Sequence, residues 1–194
     1  MKFRLGVKRA LDILLSAAAL LALSPLLAII ALIVRLSSPG PALFSQLRVG
    51  LNGRSFNIYK FRTVFHHAKS DAPSSELRPA DVTPVGTALR ATSLDELPQL
   101  YNILIGQMSV VGPRPLVTVE KKIHKLRIAA GVYRMRPGLT GWAQVNGRDF
   151  LDAKQKVQYD KEYVDCWTLG FDLRIIARSV TQVLRREGVE PKRK

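Results

Sequence analysis

Asp95 and Glu96 form the only adjacent acidic pair in a chain of 194 residues that carries a formal net charge of +15. Neighbouring carboxylates can serve as ligands for a hard cation such as Mg²⁺, which takes one or two carboxylates plus substrate phosphates. The pair lies in the stretch ATSLDELPQL, residues 91–100. There Ser93-Leu94-Asp95-Glu96 also fits the S-x-x-E capping box, in which a serine and a glutamate satisfy free N–H groups at a helix start. Opposite charge comes from Lys60 and Arg62 in YKFRT, Arg90 in ALRATSLDE and Arg114 in GPRPL. An arginine fork matches phosphate oxygens in a bidentate way. Arg114 stands between two prolines that fix its backbone, an arrangement useful to a side chain that must hold its position. Taken singly, each of these cations also reads as an ordinary surface charge. Carboxylates beside phosphate-binding groups make sense when a divalent cation bridges them.

The composition narrows the choice of partner. Lys and Arg total 30 against 15 Asp and Glu, an excess that points to nucleic acid, a membrane surface or phosphorylated substrates. Aromatic residues are only 7% of the chain, and the basic residues sit in Gly/Pro-rich turns. Stacking platforms interleaved with cations, the mark of single-stranded nucleic-acid binding, are missing, so nucleic acid is not the expected partner. The single cysteine, Cys166, allows no internal disulfide. His66, His67 and His124 have no zinc-ligand spacing.

The elements that must position these residues begin with an uncharged run, ILLSAAALLALSPLLAIIALIV, residues 13–34. As a helix it would reach about 33 Å, enough to cross a bilayer core. Ser24-Pro25 falls at its centre, where Pro25 lacks an N–H and clashes with the carbonyl of Leu21, predicting a kink or break. Both flanks are basic: Lys2, Arg4, Lys8 and Arg9 before, Arg35, Arg48, Arg54, Lys60 and Arg62 after. The positive-inside rule then puts both ends on the cytoplasmic side. A re-entrant helix-break-helix satisfies both observations, and a kinked single span is the alternative.

Beyond it, residues 42–49 and 55–61 read as two strands joined at Asn52-Gly53, a hairpin signal. Residues 66–87 read as a polar loop or irregular helix. A helix is expected from Ser93 or Leu97 to Ile105, and others over 117–130, 152–166 and 172–187. On the last, Leu173, Ile176, Val180 and Val183 share one face, with Arg174, Arg178, Arg185 and Arg186 away from it. That pattern fits a helix packed on the core or one lying on anionic lipid.

Five ordered segments, KRALDILLS…LSP, SSPGPALFSQLRVGLNGRSFNIYKFRT, LRATSLDELPQLYNILIG, MSVVGPRP and RPGLTGWAQVNGR, resemble the bacterial sugar transferases, the monotopic polyprenyl-phosphate phosphoglycosyl transferases, in their small minimal form. The resemblance covers nearly the whole chain. It implies an α+β, mostly helical fold: a re-entrant membrane helix over 1–36, broken at Ser24-Pro25, and a cytosolic catalytic domain over 37–194 with a short β-hairpin and amphipathic interfacial helices. It implies a bacterial inner-membrane enzyme facing the cytoplasm. Such an enzyme moves a sugar phosphate from a UDP-sugar to undecaprenyl phosphate, releasing UMP, and feeds downstream glycosyltransferases. Asp95 is implied as the nucleophile, Glu96 as its partner, both as Mg²⁺ ligands, and Lys60, Arg62, Arg90 and Arg114 as phosphate-binding groups. Two positions depart from the pattern: Gln107 stands where the family commonly has Asp, and Val64 where it often has Met.

Overall fold

The computed structural model describes residues 2–65, 78–147 and 150–185. Helix α1, Lys2–Ser37, comes first; at 1.5 Å per residue its 36 residues span a contour of about 54 Å. Strands β1 (Leu43–Val49) and β2 (Ser55–Phe61) follow as the expected hairpin, with Asn52 in the left-handed region at φ 54°. Next come α2 (Pro84–Ala91), a 3₁₀ turn over Leu94–Glu96, α3 (Gln99–Leu104), β3 (Ser109–Val111) and β4 (Leu116–Val117). The chain continues through α4 (Lys121–Ala129), β5 (Gly138–Thr140), α5 (Trp142–Val145), α6 (Ala153–Cys166) and α7 (Leu169–Arg185). One antiparallel sheet has the order β2-β1-β4, and β3 pairs with β5 in parallel. Helix dominates, as expected, with small sheets beside it.

Helix α1 is not interrupted at Ser24-Pro25, where a kink or break is expected. Helical structure continues through Pro25, and the reason lies one residue earlier. Pro25 leaves the carbonyl of Leu21 without its i+4 donor, and the Ser24 hydroxyl donates to that same oxygen at 2.8 Å.

Along its length α1 turns one stripe toward the rest of the protein. Leu5, Lys8, Asp12, Ser16, Leu20, Leu23, Leu27, Ile30 and Val34 recur at spacings of three and four and are buried or half-buried. The opposite face, including Leu14, Leu21, Ile29, Leu32 and Leu36, is exposed. Polar members of the stripe are paired. Lys8 Nζ donates to Asp172 of α7 at 2.6 Å, and Asp12 Oδ1 accepts from Ser109 Oγ and Val110 N, each at 3.0 Å. Arg9 donates to the carbonyls of Ile103 and Leu104 at the end of α3, at 2.6 and 2.7 Å. Lys8 and Arg9 therefore serve the fold, and counting them as membrane-flanking charges overstates that pattern.

Three other expectations change. Helix α2 begins inside the stretch read as a polar loop or irregular helix and runs beyond it; Thr83 caps it by accepting from Gly86 N at 2.9 Å, and Pro84 opens its first turn. Residues 66–77 of that stretch, with His66 and His67, lie outside the described residues, as does Arg186 of the last helix. The helix expected over 117–130 is shorter, because Leu116–Val117 is spent on the sheet. On α7 the apolar stripe faces mostly outward, with Ile176 alone of its four residues packed against the core. Leu173 is 67% exposed and Val180 53%, while Asp172 and Ile175 are buried and Ser179 bonds Thr140.

Candidate active site

The dyad sits in the turn between α2 and α3, and that turn is not a capping box. Ser93 adopts φ 57°, ψ 16°, and its side chain makes no cap hydrogen bond. Its backbone N–H donates instead to Arg90 O at 3.2 Å, so Ser93 does the work of the left-handed residue that ends α2. Glu96 is thereby released from the helix start, and its carboxylate reaches across to the sheet. Glu96 Oε1 accepts from Lys60 Nζ at 2.6 Å and from Arg114 Nη2 at 3.4 Å.

Each partner is fixed by a separate device. Lys60 is delivered by β2, whose edge is tied to α3 through buried Asn102. Tyr59 N donates to Asn102 Oδ1 at 3.0 Å, and Asn102 Nδ2 donates to Asn57 O at 2.7 Å and to Gln107 Oε1 at 2.6 Å. Gln107, the departure noted above, thus accepts a structural hydrogen bond. Arg114 is held through its backbone: Arg127 of α4 donates to Arg114 O at 2.7 Å and to Asp160 of α6 at 2.6 Å. The loop carrying Arg114 also abuts the 136–141 segment backbone to backbone. A Cβ on Gly138 would come within 2.0 Å of Gly112 N, so only glycine fits. Arg90 rides on α2 and donates from Nε to Thr63 Oγ1 at 2.9 Å. Gly86 permits that contact, since a Cβ there would lie 2.1 Å from Thr63 O.

Arg62 is not gathered with these residues. Its guanidinium donates to Val34 O at 3.0 Å, to Ser38 O at 2.7 Å and to Pro39 O. It closes the C-terminus of α1, a cation meeting the unpaired carbonyls of a helix end. Ser24 and Pro25 likewise lie within α1 and serve the helix.

Asp95 is only 8% exposed, and its carboxylate accepts no hydrogen bond from any described residue. Burial pushes its pKa above the ordinary carboxylate value; Lys60 opposes that push, Glu96 adds to it, and Arg90 and Arg114 oppose it. Burial also lowers the pKa of Lys60, against the attraction of Glu96. The result is a desolvated carboxylate ringed by cations but bonded to none, beside a second carboxylate that is firmly held. Such an acid is available to attack an electrophile or to bind a cation.

No group of three or more His, Cys, Asp or Glu side chains among the described residues could hold a metal. Asp95 and Glu96 fit a Mg²⁺ that draws its other ligands from substrate phosphate and water; the free carboxylate of Asp95 is the open donor, since Glu96 Oε1 is already engaged.

Lys60, Glu96 and Arg114 border a small cleft completed by Arg48, Ile58, Gln99 and Pro115. Nothing in the sequence set Arg48 or Gln99 apart. Arg48 reads as one inward position of a strand, and Gln99 as the first polar residue of a helix.

Residues 3–186 match the model of the family described as bacterial sugar transferase. The chain belongs to the bacterial sugar transferase family. A UDP-glucose:undecaprenyl-phosphate glucose-1-phosphate transferase of Caulobacter vibrioides is 44% identical over 191 residues, covering 93% of this chain and 71% of that protein. A relative of the same name from Escherichia coli K12 is 43% identical over 183 residues, 90% of this chain but 39% of its own length. The exopolysaccharide production protein ExoY of Rhizobium meliloti is 40% identical over 200 residues, 93% of this chain and 87% of that protein. The chain thus spans less than half of the Escherichia coli relative. Within this sugar transferase the dyad, Lys60, Arg90 and Arg114 converge on one site, while Arg62 belongs to the anchoring of α1.

Proposed function

We propose that this chain transfers a sugar phosphate from a UDP-sugar to undecaprenyl phosphate in two displacements through Asp95. A carboxylate oxygen of Asp95 attacks the sugar-bearing phosphorus. The bond from that phosphorus to the bridging oxygen breaks, and UMP leaves with the electron pair. The aspartyl phosphosugar is then attacked at the same phosphorus by an oxygen of undecaprenyl phosphate, which returns Asp95 as the carboxylate. Lys60, Arg90 and Arg114 balance the phosphate charge in both steps. Bound Mg²⁺, held by Asp95, Glu96 and substrate phosphate, would lower the repulsion between the dyad and the diphosphate. The observation that carries this reading is the buried Asp95 carboxylate, free of hydrogen bonds, beside a Glu96 that Lys60 and Arg114 hold in place.

The site must work at a membrane, because one substrate is a lipid. Helix α1 is long and apolar enough to cross one, yet both of its ends are tied to the same folded domain, by Lys8–Asp172 and by Arg62 on Val34, Ser38 and Pro39. That favours the re-entrant reading, with both ends on the cytoplasmic face of the inner membrane and the exposed apolar faces of α1 and α7 in lipid. The polyprenol diphosphosugar left in the membrane would be consumed by glycosyltransferases that extend the glycan.

Purified protein in detergent, given undecaprenyl phosphate and a panel of UDP-sugars with UDP-glucose first, should release UMP, and without acceptor it should retain radiolabel from the sugar phosphate. Label retained by Asp95→Asn would overturn the nucleophile. Phe3→Cys and Ser45→Cys, each in Cys166→Ser, should both be shielded from an impermeant thiol reagent in intact cells; labelling of position 3 alone would establish a span.

A further inference from the structure

The geometry points to Gln99 as a substrate-contacting residue whose amide donates to a phosphate oxygen in the cleft beside the dyad; this rests on the reaction proposed above and adds a residue to it. Gln99 is the first residue of α3 and only 2% exposed. It lines the cleft together with Lys60, Glu96 and Arg114. Its Nε2 is buried and without a hydrogen-bond partner, and no described residue bonds its side-chain amide through either atom.

A buried amide left unpaired is a cost that folded proteins rarely carry. Hydrophobic replacement would remove it, so its presence needs a compensating partner that arrives from outside the fold. The cleft defines that partner. Lys60 and Arg114 supply positive charge on one side, and a neutral amide offers a further donor without adding to the charge that Glu96 already balances. A phosphate oxygen accepts from all three. Unpaired nitrogen alone would not carry the argument: Arg62 and Arg127 also leave Nε without a partner, but their remaining donors are spent within the fold. Trp142 Nε1 is also unpartnered but does not line this cleft; Gln99 is the one whose whole functional group is unspent beside Lys60 and Arg114.

Two phosphates could be the acceptor, that of the nucleotide diphosphosugar or that of the polyprenol. The test is Gln99→Leu, close in size but without the amide, with Gln99→Glu as a second variant that places negative charge where phosphate would bind. Steady-state rates with UDP-glucose and undecaprenyl phosphate should fall about ten- to hundredfold for Gln99→Leu, and further for Gln99→Glu. A loss in kcat/KM for UDP-glucose, mirrored in UMP release without acceptor, assigns the amide to the donor; a loss confined to undecaprenyl phosphate assigns it to the acceptor. The thermal midpoint of Gln99→Leu should be unchanged or raised, because no native hydrogen bond is lost. Unchanged rates would overturn the proposal, and so would a midpoint that falls along with the rate, which would make the amide structural. If the wild type turns over no nucleotide sugar, the reaction proposed above fails. The contact is then read by inorganic pyrophosphate alone: it should raise the midpoint of the wild type and not of Gln99→Leu, and equal or absent shifts would sink it.

Discussion

Lys60 and Glu96, 36 positions apart in sequence, meet at 2.6 Å between Nζ and Oε1. This pairing decides how the dyad divides its labour. The more tightly held carboxylate cannot also be the mobile one, so in the proposed reaction Glu96 is an electrostatic fixture and Asp95 the reactive group. Lys60→Met should release Glu96 and leave two adjacent carboxylates with less positive charge between them. We expect a rate loss of about a hundredfold or more, and Glu96→Gln in the Lys60→Met background should cost far less than Glu96→Gln alone. Additive losses in this cycle would show that the two act independently.

The raised pKa of Asp95 has a defined sign in both activity and stability. As a nucleophile Asp95 must be ionised, so the acid limb of kcat/KM should lie above the ordinary carboxylate range. Lys60 and Arg90 hold the pKa down, and Arg90→Met should move the limb to higher pH. For stability, a folded-state pKa above the unfolded value means that protonation stabilises the fold as pH falls through it, and that ionisation costs stability above it. Asp95→Asn should therefore raise the thermal midpoint at neutral pH while abolishing turnover. A lower midpoint, measured by calorimetry, would contradict the assignment of burial as the dominant effect.

The Arg127–Asp160 pair is buried on both sides and holds the carbonyl of Arg114. Removing one partner leaves an uncompensated charge, and Arg127→Met should cost about 3–5 kcal/mol in urea unfolding. The double variant Arg127→Met with Asp160→Leu should recover much of that stability. It should not recover activity, since nothing then fixes Arg114 O. Activity that returns with stability would reduce the pair to a packing role.

In α1, Ser24 and Pro25 act on a single acceptor. Ser24→Ala leaves Leu21 O unpaired beside a proline that cannot serve it, whereas Pro25→Ala restores the backbone donor and makes the hydroxyl redundant. Ser24→Ala should lower activity of membrane-bound protein on its own and have little further effect in the Pro25→Ala background. Equal effects in both backgrounds would show that the hydroxyl serves something other than the gap left by the ring.

The hairpin, the loop around Arg114, and the helix of residues 152–166 were legible because their signals are local: Asn-Gly, Gly-Pro, and a capping box at Asp152 and Gln155. Helix α2 carried an equally local signal, Thr83-Pro84, hidden by the polarity around it. The failures share a cause. Ser93–Glu96 has the right letters for a cap, but whether serine ends one helix or starts the next depends on where α2 stops. Arg62 and Arg114 look alike in sequence; only the fold places one on the carbonyls of α1 and the other beside the dyad. The face of α7 was left open between core and lipid because the residues it turns inward include Asp172 and Ser179, polar groups whose partners lie in α1, α6 and β5. Gln99 was invisible because having no partner is a property of the packed structure.

The pairing of Lys8 with Asp172 joins positions 164 residues apart, and this sets an order of events during synthesis. Helix α1 leaves the ribosome first, with a lysine and an aspartate on the stripe that must later be buried. At about 5–20 residues per second, Asp172 follows roughly 8–33 s later. During that interval the apolar face of α1 is ready for lipid while its inner face lacks the counter-charge it needs. The inner face of α1 thus waits for its partner until α7 is made, and α7 closes the fold over the helix that preceded it.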